Sequence, residues 1–439
     1  MDLNLRLAER LRGALGHDAI DARGAAWTVR GVAPLCAVSP ATEEEVGIAL
    51  RVLAEAGAAT IVWGGGTQIE VGAVPGQYDC ALSLARLDRV VEHAPADLTA
   101  TVQAGATLAQ VQSALRGARQ RLCVDAPWAA RATIGGLHAS GTVGPRTHDL
   151  GSLRTMVVGA EAYTSAGTLF HSGGRVVKNV TGYDLHRVLF RSWGSLAVLT
   201  RLHVRLVALP ESECVVVARF GSPEDAFAAA ERVRGMPTRP VGLAVLCGLE
   251  GETPATVLAG WEGSDADVAE ACGHAAPAWE RARTCDALHG DAVSTRWASA
   301  AAAQVGNPLH ATARLRIAVP PLALAGMWKA CERLDGVVAR GALAYSDRGI
   351  LVAHLRAGSA DGEGEGEGSE ATASARSWIA RLRVAAQAAG GSLVALAPGA
   401  TSPEDVWGPP PAHLPLLRRV KEAWDPERRL APGRLVGGL

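Results

Sequence analysis

The stretch Thr60–Gly72, TIVWGGGTQIEVG, runs from apolar and β-branched residues into three consecutive glycines and then resumes alternation through Ile69 and Val71. Glycine brings no side chain to pack and loses the most backbone freedom on folding, so three in a row mark a place where backbone approaches something closely. Two familiar phosphate loops fail against the letters. A Walker A loop needs Lys and then Ser or Thr after its last glycine, whereas Gly66 is followed by Thr67 and Gln68; a GxGxxG loop starting at Gly64 needs glycine where Ile69 stands. Two readings remain at this point, a plain tight turn into the next strand and a ligand cradle built from backbone.

Upstream of the loop, AVSPATEEEVGIALRVLAEAG places Ser39, Pro40 and Thr42 before acidic residues, followed by an apolar stripe through Val46, Ala49, Leu50 and Leu53 that Gly57 closes. That is a capped helix start and a glycine stop. Downstream, CALSL, DRVVEH and LTATVQAG read as strands, Thr107 opens a helix, and MVVGAEAYTSAGTLFHSGG reads as a hairpin turning at Ser165–Gly167. YDLHRVLF is helical in pattern, and SLAVLTRLHVRLVALP is a long alternating strand that ends at Pro210.

The dense glycine motifs stop at Pro210, which marks a domain boundary in a chain of 439 residues, long enough for two or three domains. The expected division is 1–210, 211–410 and a tail, 411–439. The middle part alternates strands and helices, including CVVVARF, VGLAVLCGL and GILVAHLRAG, without recognisable chemistry. Within it, SADGEGEGEGSEATAS (359–374) reads as a solvated loop of low complexity.

Charge is balanced at 43 basic against 44 acidic residues, net -1, which argues against a general nucleic-acid binder. The lysines are Lys178, Lys329 and Lys421, so arginine supplies the other basic residues and its abundance says little about function. The opening MDLNLRLAERLRGALG mixes charges with leucines at helical spacing and lacks a secretory signal's apolar core. No apolar run approaches the roughly 18 residues of a membrane helix. The expectation is a soluble cytoplasmic protein with no direct membrane span, membrane-associated at most through partner subunits. Cys36, Cys80, Cys123, Cys214, Cys247, Cys272, Cys285 and Cys331 are scattered without a CxxC pair, so neither an iron-sulfur cluster nor a structural zinc site is signalled.

Two more glycine-rich segments follow the first: ATIGGLHASGTVGPR (Ala132–Arg146) and GGRVVKNVTGYDLHRVLFRSWGSLAVLT (Gly173–Thr200). Three such loops flanked by strand or helix suggest one extended ligand lying on exposed backbone. A dinucleotide suits them, its pyrophosphate held by a nest of N–H groups without a positive side chain.

With those segments and a closing DPERRLAPGRL, the chain resembles the FAD-binding (PCMH-type) oxidoreductases of the vanillyl-alcohol oxidase superfamily. Within that superfamily it is most similar to the FAD-binding subunit of bacterial glycolate oxidase. The resemblance is strong over roughly 30–210 and weak over the last 25 residues. It implies an α+β fold with a two-subdomain PCMH-type FAD-binding domain, an α+β cap-like domain, and a tail returning to the cofactor. It also implies non-covalent FAD, because Thr67 stands where covalent members often have histidine.

By resemblance, Gly64, Gly65, Gly66 and Thr67 wrap the pyrophosphate with Gln68 beside them. Thr133, Ile134, Gly135, Gly136, Ala139, Ser140, Gly141, Gly144 and Arg146 continue the bed; Gly194, Ser195, Val198 and Thr200 border the nucleotide end. Lys178, Asn179, Tyr183 and Asp184 match the family's KN..GYD, read either as flavin contacts or as a hydrogen-bond network shaping the loop. A cation at Lys178 near the flavin N1 edge would stabilise a reduced anion. Val143, Thr155, Ala197 and Ala431 depart from the family's usual Ser, Asp, Gly and Asn, and each departure is expected to weaken the cofactor site.

The resemblance further implies oxidation of a small 2-hydroxy acid such as glycolate to the 2-oxo acid, with hydride passing from C2 to flavin. A second flavoprotein subunit and an iron-sulfur subunit are the implied partners. No catalytic residue is assigned and no metal site is found; His354 has no neighbouring histidine, and His138, His148, His171 and His186 read first as structural. Two alternatives stay open: a non-catalytic assembly subunit with a decayed flavin site, and a stand-alone flavin oxidase for another substrate.

Overall fold

The computed structural model describes residues 3–21, 24–146, 152–174, 182–249, 254–305, 312–357, 369–395 and 402–439. The chain begins with helix α1 (Leu3–Leu15) and a four-stranded sheet made of β1 (Ile20–Asp21), β2 (Cys36–Val38), β3 (Thr60–Trp63) and β4 (Cys80–Ser83), in the order β1-β2-β4-β3. Strands β2, β4 and β3 run parallel, joined through α2 (Glu43–Glu55). Thr42 caps α2 by accepting from the Glu45 amide at 3.2 Å, and Glu43, Glu44 and Glu45 complement the dipole in the first turn.

A five-stranded antiparallel sheet follows, built from β5 (Val90–Ala94) and β6 (Thr99–Gln103), then, after the two-residue β7 (Gln120–Arg121), from β8 (Val157–Tyr163), β9 (Leu169–Gly173) and β10 (Val198–Arg205). Its order is β5-β6-β10-β8-β9, while β11 (Val207–Ala208) pairs with β7. Between strands lie α3 (Leu108–Arg116), α4 (Ile134–Ser140), α5 (Leu153–Met156) and α6 (His186–Leu189). Thr107 opens α3 with a capping box to Gln110, and the β8–β9 hairpin pairs Tyr163 with Leu169. One apolar core joins the two sheets, running from Leu11 and Leu50 through Val102 and Ile134 to Leu202. The buried Glu43 carboxylate bridges them, accepting from Gln103 Nε2 at 2.7 Å and Arg201 Nη2 at 2.9 Å.

From Ser212 the chain forms one eight-stranded antiparallel sheet: β12 (Ser212–Phe220), β13 (Gly242–Cys247), β14 (Ala255–Gly263), β15 (Ala282–His289), β16 (Ala313–Ala318), β17 (Val337–Tyr345), β18 (Ile350–Ala357) and β19 (Ser392–Ala395), in the order β15-β12-β14-β13-β17-β18-β16-β19. Period-two alternation divides its faces. Cys214, Val216 and Ala218 point into a core with α7 (Pro223–Arg234), α8 (Asp265–Ala275), α10 (Leu324–Glu332) and α11 (Ser369–Ala388). Val215 and Val217 point the other way, to a core with α9 (Asp291–Ala302) that also receives Val143 from the first half of the chain. The chain ends in α12 (Pro403–Trp407) and α13 (Leu414–Trp424).

The low-complexity stretch 359–374 divides at Ser369. Residues before it lie outside the described segments, and from Ser369 the backbone is helical, where Gly-Glu alternation gives way to the helix-forming Ala and Glu of SEATASA. No helix among the described residues is long and apolar enough to cross a membrane.

Candidate cofactor-binding site

Strand β3 is the outer strand of its sheet, and its outer edge is met by the C-terminal tail. Thr60 bridges Leu430, its amide donating to Arg429 O at 2.7 Å while the Ala431 amide donates to Thr60 O at 2.8 Å. Past Trp63 the glycines leave the sheet and pass directly over the second glycine-rich segment. A Cβ at Gly64 would overlap Thr133 Oγ1, one at Gly65 would overlap the Arg131 carbonyl, and Gly66 has φ +69°. Two of the three glycines are thus required by the close crossing of two loops, and the third by a left-handed turn. Thr133 in turn caps α4, accepting from the Gly136 amide at 3.3 Å.

These loops enclose a cleft of about 930 Å3, part of it open to solvent. Its walls include Gly64, Gly65, Gly66, Thr67 and Gln68 from the first loop; Thr133, Gly135, Gly136, Ala139 and Ser140 from the second; and Ser192, Trp193 and Gly194 from the third. Ile61, Val62, Leu84, Ala104, Ala197 and Leu199 make an apolar floor, and Ala431, Arg434 and Leu435 of the tail close the end.

Among the described residues, no protein acceptor takes the amides of Gly65, Gly66, Thr67 or Gln68. Arg131 donates to Gly65 O at 3.3 Å, which puts a cation beside the same loop. Free amides on a side-chain-less turn are the donor set for a pyrophosphate, and the apolar floor suits a flat ring system. The residues present therefore fit a flavin dinucleotide.

The expected site residues divide into three groups. Gly64 through Gln68, Thr133, Gly135, Gly136, Ala139, Ser140 and Gly194 line the cleft. Ile134, Gly141, Ser195, Val198 and Thr200 stand behind that lining: Ile134, Val198 and Thr200 are fully buried, Gly141 ends α4 at φ +63°, and Ser195 Oγ donates to Ser192 O at 2.7 Å; Gly144 packs instead against Asp125. Arg146 points elsewhere, into an ion pair with Asp125 at 2.7 Å and toward Glu213 and Glu262, each at 3.9 Å. Tyr183 is 88% exposed and Asp184 pairs with Arg187, while Lys178, Asn179 and His148 lie outside the described residues.

The four departures separate as well. Ala197 and Ala431 line the cleft, Val143 packs on a core of the eight-stranded sheet, and Thr155 forms a capping box with Ser152 away from the cleft.

The histidines beside the cleft are structural. His138 is buried in α4 and donates from Nε2 to His186 O at 3.1 Å, which leaves Nδ1 without a partner; burial pushes its pKa down to about 4. His186 is tied through Nδ1 to Ser172 Oγ at 3.0 Å. In the eight-stranded sheet, His354 donates to Ala303 O at 2.9 Å and is also held near 4 by burial, with Arg314 adding to the shift.

The tail contributes residues that pattern reading passed over. Lys421, 2% exposed, donates to Ser195 O at 2.7 Å, Leu430 O at 2.8 Å and the buried Asp425 carboxylate at 2.7 Å. Arg434 gives its guanidinium to Ile69 O at 2.6 Å and Val71 O at 3.0 Å, so it fixes the strand end after the glycine loop. The signal for Arg434 in the sequence is the motif DPERRLAPGRL, whereas Lys421 lies four residues before that motif begins.

Comparison with known proteins agrees with this geometry. Residues 34–173 match the model of the FAD binding domain. Glycolate oxidase subunit GlcE of Escherichia coli is 33% identical over 159 residues, 36% of this chain and 44% of that protein. D-lactate dehydrogenase of Archaeoglobus fulgidus is 33% identical over 191 residues, 43% of this chain and 42% of that protein. The matched segment thus spans less than half the length of these relatives. Substrate-bound p-cresol methylhydroxylase superposes with a TM-score of 0.76 at 15% identity, covering 98% of this chain and 96% of that one. The fold is accordingly of the PCMH type, residues 34–173 match an FAD binding domain, and the cofactor is FAD.

Proposed function

From a chain that carries an FAD-binding domain of this build, we propose an FAD-dependent oxidoreductase that oxidises a small 2-hydroxy acid, glycolate being the first candidate, as a subunit of a larger complex. The observation that carries the reading is the row of acceptor-free amides at Gly65–Gln68 facing an apolar cleft, in a chain similar to glycolate oxidase and D-lactate dehydrogenase proteins. The amides, with Arg131 beside them, would take the pyrophosphate; Ala104, Ala197 and Leu199 would flank the apolar part; and Arg434 and Lys421 would hold the tail across the end. Bound FAD supplies a two-electron acceptor that no side chain can offer. The chain's own work is to orient the acid and exclude water under the sheet that begins at Ser212. We place the domain division at Pro210, with 411–439 as the returning tail.

GlcE is by name a subunit, which supports a multi-subunit assembly, and we propose a second flavoprotein subunit and an iron-sulfur subunit as this chain's partners. The test is a substrate screen with an artificial electron acceptor, on the protein alone and co-expressed with such subunits. Turnover of glycolate or D-lactate in the complex supports the reading; turnover only of phenols, or full activity of the isolated monomer, contradicts it.

One observation favours a second reading. Ala431 lies in the cleft wall at φ +49°, a left-handed conformation that Asn tolerates better than Ala, and Ala197 adds a methyl to the same wall. A non-catalytic assembly subunit would carry such losses, and it predicts a colourless protein that still binds its partners.

A further inference from the structure

Two cysteine sulfurs touch in the second half of the chain. Cys214 stands near the start of β12, 1% exposed, with its side chain on the sheet face that α8 covers. Cys272 lies in the second half of α8, and its Sγ is 3.5 Å from Cys214 Sγ. Unlike Cys214, it is part-exposed. A third cysteine shares the face: Cys285 stands in the edge strand β15 opposite Ala218 and is open to solvent.

Thiols that serve only as small apolar groups gain nothing from solvent on either one. This pair has solvent on one side and none on the other. That asymmetry suits a reactive thiol and the partner that resolves it: a thiolate, which needs solvation, attacks an oxidant, and a neighbouring thiol then closes on the product. Contact with Cys214 lowers the Cys272 pKa, whereas contact with Cys272 and burial raise that of Cys214, so the part-exposed sulfur is the one that ionises. The chain holds its own comparison. Cys36 and Cys80 face each other in register across β2 and β4, yet both are fully buried.

We propose that Cys272 and Cys214 form an oxidative modification site that reacts with a hydroperoxide and closes to a disulfide, tying α8 to β12. The Cys272 thiolate attacks the peroxide; an S–O bond forms as the O–O bond breaks, and the departing hydroxide takes up a proton to leave as water. Cys272 is then a sulfenic acid. The Cys214 sulfur attacks the Cys272 sulfur, the S–O bond breaks, and the Cys214 thiol proton leaves with that oxygen as a second water. Two electrons thus pass from the two thiols to one peroxide. The link spans 58 positions of sequence and lies one residue from Glu213, which faces Arg146 across the boundary between the two halves. Neither cysteine lines the cofactor cleft, so nothing at this site depends on which acid the chain oxidises.

The test is hydrogen peroxide in small excess over the thiol-reduced, flavin-loaded protein, followed by alkylation of the remaining thiols and peptide mapping without reductant. The expected product is a Cys214–Cys272 link, formed about tenfold or more faster than any link between Cys36 and Cys80, because thiolate access sets the rate. Dithiothreitol should undo it, and the oxidised protein should unfold at a higher midpoint than the reduced one. Cys285→Ser should form the same link. In Cys214→Ser, Cys272 should stop at the sulfenic acid, which dimedone traps. If that buried variant does not fold, Cys272→Ser decides the matter, and Cys214 should stay reduced in it. Three results overturn the site: no link at a peroxide level that oxidises the exposed Cys285, a link from Cys272 to Cys285 in place of Cys214, or a Cys36–Cys80 link formed as fast.

Discussion

Gly65 sits where a methyl group would occupy the position of the Arg131 carbonyl oxygen, so Gly65→Ala must push the first two loops apart. The expected result is a loss of stability of about 2 kcal/mol or more together with loss of FAD retention, checked by denaturant titration and flavin content. A Gly76→Ala control, with open space around its Cβ, should leave both unchanged. The glycine run was conspicuous in the sequence, yet half of its reason was not: letters show that backbone is approached, and only the fold shows that Arg131 and Thr133 approach it. His138 carries a second expectation at this scale. Its folded pKa of about 4 lies below the usual 6.5, so the unfolded chain binds more protons between those values and stability falls as pH drops through that window. Between pH 7 and pH 5 the loss should be about 2 kcal/mol, with His354 adding a similar amount. Unfolding midpoints of His138→Gln across that range should show a smaller slope than wild type; an equal slope would remove His138 from the account.

Among the elements, the helices with caps were the most legible. Thr42 and Thr107 sit at helix starts because their side chains accept from the amides three residues on, a relation written in the local sequence. Thr107→Ala should cost about 1 kcal/mol, read as a shift in unfolding midpoint with the slope unchanged. The tail was legible as a motif and opaque as a mechanism, because its partners lie far away in the chain. Lys421 reaches Ser195, and Leu430 meets Thr60, contacts that no period or spacing announces. Replacing Lys421 by Met leaves Asp425 buried and unpaired, for which a loss of about 3–5 kcal/mol is expected, with FAD released more readily than from wild type. Retained stability and retained flavin in that variant would mean that the tail does not close the cleft.

For the whole molecule, the alternation of strands and helices after Pro210 could be read from the letters, whereas the antiparallel order of those strands and the contact between the two halves could not. Arg146 belongs to that contact: Asp125 from the first half holds it, and Glu213 and Glu262 of the eight-stranded sheet face it. Arg121 pairs with Glu262 across the same boundary. A resemblance to flavoproteins assigned Arg146 to the cofactor because motif position carries no direction, and only the packed structure shows which way the side chain turns. Arg146→Met should destabilise the protein by about 3–5 kcal/mol through the unpaired Asp125 while leaving flavin content in the folded fraction unchanged. The central claim is that this cleft holds FAD without a covalent bond, and the visible absorption spectrum of the purified protein, taken before and after heat denaturation, tests it most directly. Oxidised-flavin bands whose colour moves into the supernatant are the predicted result; a colourless protein that takes up no added FAD would contradict it.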